Sequence, residues 1–296
     1  MTRLSALLAA SLALAACSTP VEIELPDHQP RLVVQGLFAA DSVLTLAVQR
    51  SASVTDAPDV PEVTDATVEV YEDGTLVDVA EYVSNRLRYV TTVRPRAGRT
   101  YRVEVSAPGF EPVSAEDTVP EPVPFTVDVA PGPEPDTEGQ SRVDAVTVRF
   151  ADAPGDDFYA LYGVVEQTFT DSDFRQAFPL VFRSNDPLLA DGDLRGFISD
   201  FDEPFYQRAF FRSRPFDGQS VAIRINARRV GPEGTARVTE RLRLATLSPT
   251  YYTYVRALTS DSDGSPFSAS RDLPTNVTGG YGIFAAFSAS EQVLPE

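Results

Sequence analysis

The chain has 296 residues, 43% hydrophobic and 10% aromatic, enough apolar material for one large or two ordinary globular cores. Its formal charge of −18 comes from 43 acids against 25 basic residues, all of them arginine, which argues against nucleic acid or an anionic membrane surface as ligand. A single cysteine and a single histidine exclude an internal disulfide framework and leave too few ligands for a zinc site of those residue types.

Residues 1–16 read as a secretory signal. Arg3 supplies the positive start, and the apolar run from Leu4 to Ala16 is shorter than the roughly 20 residues a membrane span needs. The run ends in Leu14-Ala15-Ala16-Cys17, with two small residues before the cysteine and a leucine before those. A lipoprotein signal peptidase accepts this pattern, so Cys17 is the candidate lipidation site, acylated on its sulfur and on the new amine. Residues 17–30 form a tether in which Pro20, Pro26 and Pro30 favour an extended path of up to about 3 Å per residue.

From Arg31 short alternating runs begin: Leu32–Leu37, Val43–Arg50, Ala66–Tyr71, Leu76–Val83, Leu87–Thr92, Thr100–Ala107 and Ser114–Val119. Each has β-branched or aromatic residues at period two, and Glu72-Asp73-Gly74 reads as a hairpin turn. This density of short strands predicts an immunoglobulin-like sandwich over 31–119. Prolines 120, 122, 124, 131, 133 and 135 then predict a linker over 120–140.

A second β-rich domain is predicted over 141–296. Its strands are Asp144–Ala151, Phe158–Phe169, Gln219–Arg228, Ala236–Ala245 and Tyr281–Phe287. Ser248-Pro249 followed by Tyr251, Tyr252, Tyr254, Val255 and Leu258 reads as one short helix, with Ser248 as its cap and Asp261-Ser262-Asp263-Gly264 ending it. The irregular stretch 183–218 carries Phe197, Phe201, Phe205, Tyr206, Phe210, Phe211 and Phe216. Such a cluster either pins a long loop as satellite core or, where exposed, contacts a partner. Phe205, Tyr206, Phe210 and Phe211 are the candidate contact residues.

Several segments resemble one family. They are Arg31-Leu32-Val33-Val34-Gln35-Gly36, Val63 to Val70, Gly98-Arg99-Thr100-Tyr101, Leu247 to Tyr252, and above all Thr275-Asn276-Val277-Thr278-Gly279-Gly280-Tyr281-Gly282-Ile283-Phe284. Their order is similar to that of the Bacteroidota lipoproteins catalogued as domain of unknown function 4249. The resemblance implies a lipid anchor in the outer membrane; the sequence leaves the periplasmic and cell-surface faces both open, with the surface favoured. It also implies association with a TonB-dependent receptor. It supplies no catalytic residues.

His28 falls in the predicted tether, so a Ser-His-Asp triad on the folded part is not expected. The lack of lysine removes Schiff-base and P-loop chemistry. Carboxylate chemistry survives. A glycosidase needs two acids roughly 5–10 Å apart, and Asp156, Asp157, Asp191, Asp193, Asp200, Asp202 and Glu203 are candidates. The same acids suit calcium, although Asp261-Ser262-Asp263-Gly264 lacks the closing acid of an EF-hand loop. Asn276-Val277-Thr278, Asp41-Ser42-Val43 and Asp117-Thr118-Val119 match short glycosylation patterns of low specificity.

The resulting reading is a mainly β lipoprotein with no catalytic residue, no cofactor and no metal. It meets the membrane through its N-terminal lipid and acts as an accessory or binding subunit, the partner of a TonB-dependent transporter in nutrient uptake. The alternatives are a carboxylate-dependent glycan hydrolase and a structural surface protein.

Overall fold

The computed structural model describes residues 28–53, 61–133, 142–169, 174–190, 197–198, 206–231, 236–259 and 273–295. Cys17, Phe201, Phe205, Asp191, Asp193, Asp200, Asp202, Glu203 and the turn at 261–264 lie outside the described residues.

The first half forms β1 (Leu32–Ala39), β2 (Thr45–Arg50), β3 (Thr67–Glu72), β4 (Thr75–Val79), β5 (Glu81–Val83), β6 (Arg88–Val90), β7 (Thr100–Ser106), β8 (Val113–Thr118) and β9 (Phe125–Ala130). The second half forms β10 (Val143–Ala151), β11 (Phe158–Phe169), β12 (Arg175–Pro179), β13 (Phe182–Arg183), helix α1 (Pro187–Ala190), β14 (Phe197–Ile198), β15 (Tyr206–Arg212), β16 (Ser220–Arg228), β17 (Ala236–Leu247), helix α2 (Pro249–Thr259) and β18 (Tyr281–Val293). The protein is mainly β, as its alternating pattern predicts. The predicted hairpin is present: Glu72 pairs with Thr75, and Asp73 and Gly74 both have positive φ, which a two-residue turn of this hand requires.

A ten-stranded sheet in the order β14-β15-β11-β17-β18-β1-β2-β6-β5, with β12 also on β11, runs through the molecule. Two four-stranded sheets, β4-β3-β7-β8 and β13-β16-β10-β9, pack on it. Both cover the same face. Phe284 and Ala286 of β18 join the core under β3, β7 and β8, while Leu242 and Leu244 of β17 join the core under β10 and β16. Leu244 pairs with Ser290, which alternation places on the side of Phe284. The opposite face of β18, with Ile283, Ala285 and Phe287, is covered by Tyr251, Tyr252 and Val255 of α2.

The predicted division at 120–140 is corrected by this arrangement. The last strand lies beside the first in parallel register, from Val33 opposite Tyr281 to Ala39 opposite Phe287. Val277, Phe284 and Ala286 therefore complete the N-terminal core. Inside the expected linker, β9 pairs with β10 from Phe125 opposite Phe150 to Ala130 opposite Ala145. Its flanking prolines fit because β9 is an edge strand, where a missing ladder donor is tolerated. The predicted strand Leu76–Val83 breaks at buried Ala80, whose N–H bonds Val68 O as the chain crosses from one sheet to the other.

The β1–β18 pairing needs a glycine. Gly282 has φ +107°, and a Cβ there would stand 2.0 Å from the Val34 carbonyl oxygen. Phe284, fully buried, stacks on Phe38 at 4.4 Å. Phe284→Ala should therefore lower stability by about 3–5 kcal/mol in urea unfolding. A fragment of residues 31–119 should lack cooperative thermal unfolding, because β18 is missing from its core.

Candidate functional site

The folded body receives the tether at one end. His28 Nε2 and Ser51 Oγ share a 3.0 Å hydrogen bond, Arg31 N–H donates to the same hydroxyl at 2.9 Å, and the Arg31 guanidinium lies 5.7 Å from the Tyr281 ring centre. This is the end where β1 and β18 start side by side. β18 has 13 residues and extends about 40 Å at roughly 3.3 Å per residue. It carries β1 on its first half and β17 on its second. The first sandwich thus stands next to the tether, and the second lies toward the far end.

Two side chains lock the sandwich to β18 and α2. Asp117, at the end of β8, accepts the Ala286 N–H at 2.8 Å through one oxygen. Its other oxygen takes the Thr118 N–H at 3.0 Å and the Thr250 hydroxyl at 3.4 Å. Burial pushes this carboxyl up despite those donors and the Ser248 hydroxyl. Ser248 caps α2 as predicted, its Oγ accepting the Tyr251 N–H at 3.1 Å. Asn276 donates to Glu116 O at 3.0 Å and Phe284 O at 2.7 Å, and accepts the Phe284 N–H at 2.9 Å. Its amide is thus committed to backbone.

A buried ionic network closes the second sandwich. Asp144, with no exposed surface, accepts Gly132 N–H at 2.9 Å, Arg142 Nε at 2.8 Å and Arg229 Nη1 at 2.8 Å. Arg229 also pairs with Glu240 and donates to Pro295 O at 2.8 Å. Burial pushes the Asp144 carboxyl up, but the Gly132 N–H and the two guanidinium groups outweigh it and hold the carboxyl below its ordinary 3.8. Sequence reasoning missed this network, since isolated Asp, Arg and Glu in alternating strands carry no mark of burial.

The predicted contact residues divide. Phe210 and Phe211 are core residues, 0% and 2% exposed, which corrects the sequence reading. Adjacent positions of β15 point to opposite faces of the central sheet, and both faces are covered. Phe210 lies in the cluster under α2. Phe211 lies against Phe150, Tyr159 and Phe216. Tyr206 begins β15, and Phe205 falls outside the described residues.

Of the predicted acids, Asp156 and Asp157 join Asp152 and Asp217 where the β10–β11 and β15–β16 loops meet. Asp152 accepts the Tyr159 hydroxyl and the Gly218 N–H, Asp217 accepts the Gly155 N–H at 2.8 Å, and Asp156 pairs with Arg214 at 3.1 Å. Burial, followed by the charges of Asp152, Asp217 and Asp156, pushes the Asp157 carboxyl up. These contacts tie the two loops together. Among the described residues no group of three or more His, Cys, Asp or Glu is arranged to hold a metal ion.

Residues 18–293 match the family described as "Domain of unknown function (DUF4249)". The chain belongs to this family. The Asn276 clamp and the Gly282 contact fall in the segment that most resembled it. No curated protein matches the chain. Among solved structures, a beta-glucuronidase from glycoside hydrolase family 2 is similar at 16% identity, covering 76% of this chain, with a TM-score of 0.20. The chain spans 19% of that protein's length.

Asp144→Asn should cost toward the lower end of about 3–5 kcal/mol at neutral pH, because it removes the buried charge that Arg142 and Arg229 share while Glu240 still pairs with Arg229. The folded carboxyl titrates below 3.8, so its contribution is present above pH 3.8 and is lost as pH falls through the folded value. Urea unfolding across that acid range should show a flatter pH dependence in the variant.

Proposed function

We propose that this protein is a lipid-anchored accessory or binding subunit in the outer membrane, without catalysis of its own, which serves a TonB-dependent transporter in nutrient uptake. The observation that carries the reading is Leu14-Ala15-Ala16-Cys17, followed by a proline-spaced tether that reaches the folded body at His28–Arg31. A lipid at Cys17 holds the protein by one end, and the second sandwich then stands some 40 Å along β18 from the attachment. That geometry suits presentation of a surface to a membrane-embedded neighbour. Two or three acyl chains suffice for firm anchoring, each buried methylene contributing about 0.8 kcal/mol.

Mass spectrometry of the mature N-terminus should find an acylated Cys17. Cys17→Ser should abolish both acylation and processing by the lipoprotein peptidase. An unmodified cysteine in the wild type refutes the anchor. Co-purification of a TonB-dependent transporter from detergent-solubilised envelope tests the accessory role. A glycan-hydrolase activity abolished by Asp156→Asn with Asp157→Asn overturns it.

A further inference from the structure

The outward face of the sheet β13-β16-β10-β9 carries charge opposite to that of the chain as a whole. β16 alternates exposed and buried residues throughout, so Arg224, Asn226 and Arg228 all point outward. Arg183 of β13 is exposed and lies opposite Asn226 in antiparallel register. It therefore sits diagonally between Arg224 and Arg228, at spacings of about 7–8 Å. Those two are roughly 13 Å apart along the strand. None of the three guanidinium groups has an acidic partner among the described residues. The next arginine on this face, Arg149 of β10, is neutralised by Asp128 at 2.8 Å. The carboxylate at the rim, Asp186, accepts the backbone N–H groups of Arg224 and Leu188.

Clustered like charges on a strand pair are unfavourable, and this cluster stands in a chain of net charge −18. Between the arginines the floor is low, with Asn226 beside Ala145 and Arg224 beside Thr147. At one end Val143, 48% exposed, lies opposite Arg228 and adds apolar contact.

We propose that this face docks an acidic polypeptide segment of a partner protein. In an extended segment, carboxylates at every second residue share one side at a spacing of about 7 Å, which matches the three arginines. Arginine binds carboxylate with paired donors and is enriched at protein interfaces. An anionic bilayer fits less well, because it meets the repulsion of the whole chain rather than of one face. The inference rests on the binding-subunit reading for the partner's nature, and its test does not need the transporter.

The probe is a fluorescein-labelled decaglutamate peptide, with decaglutamine as control, titrated into the full chain and followed by anisotropy. The expected result is binding that weakens as salt rises and falls by about tenfold or more in R183Q/R224Q/R228Q. R50Q/R86Q, which removes two exposed arginines elsewhere, should leave it unchanged. Melting temperatures report whether each variant folds, and the three single variants, each weakening binding by about two- to threefold, keep the test readable if the triple variant does not fold. Equal loss in R50Q/R86Q, or no loss in the triple variant, overturns the proposal. So does arginine-dependent binding to phosphatidylglycerol vesicles without peptide binding. Self-association in sedimentation velocity that the triple variant abolishes assigns the face to a second copy and overturns it too. Peptide binding without co-purification of a transporter leaves the docking face standing and removes only the transporter reading.

Discussion

The parallel pairing of β1 with β18, seven residue pairs from Val33–Tyr281 to Ala39–Phe287, sets the conditions for the rest of the fold. A parallel pair cannot be closed by a tight turn and must be buried on both faces. Here one face is covered by β3, β7 and β8, and the other by α2. Every residue between Ala39 and Tyr281 lies in the loop that this pairing closes, so the N-terminal core is finished only when the chain end returns. Proteins built on such distant contacts fold slowly. The specialised residues gather at this seam: Gly282 where the two backbones approach, Asn276 bridging β8 and β18, and Asp117 joining β8 to β18 and the start of α2.

Arginine carries all the positive charge, and its uses separate by burial. Arg229 is spent inside, where its planar fork reaches Asp144, Glu240 and the Pro295 carbonyl at once. Surface pairs such as Arg99 with Asp73, 50% and 43% exposed, are screened and contribute little to stability. The group on β13 and β16 belongs to neither class. Its charge is uncompensated within the described residues, so its energetic consequence lies in what approaches the face. Electrostatic complementarity of this sort acts mainly on encounter rate and partner choice.

The long axis follows from the same seam. Because β18 is shared end to end by both halves, the tether and the second sandwich lie at opposite ends of one strand. The sheet β13-β16-β10-β9 packs near the half of β18 remote from His28. The start of β1 and the β13-β16-β10-β9 sheet thus occupy separate parts of the molecule.

Much of the secondary structure was legible in the sequence. The period-two runs located β1, β2, β3, β7, β8, β10, β11, β16 and β17 to within a few residues, Asp73-Gly74 marked its hairpin, and Ser248-Pro249 marked the start of α2. These signals are local, because side-chain alternation, positive φ and helix capping depend on a few neighbouring residues. β9 was hidden by its flanking prolines, and the aromatic run of β15 did not reveal that Phe210 and Phe211 serve two different cores. The anchor pattern at Cys17 is also a local signal, readable without a fold. Tertiary structure alone decided that the chain ends meet, that one central sheet serves both sandwiches, and that Arg183 lies between Arg224 and Arg228. The reason is physical: strand pairing across two hundred residues is selected by the burial it achieves over the whole molecule, and no local stretch of sequence contains that sum.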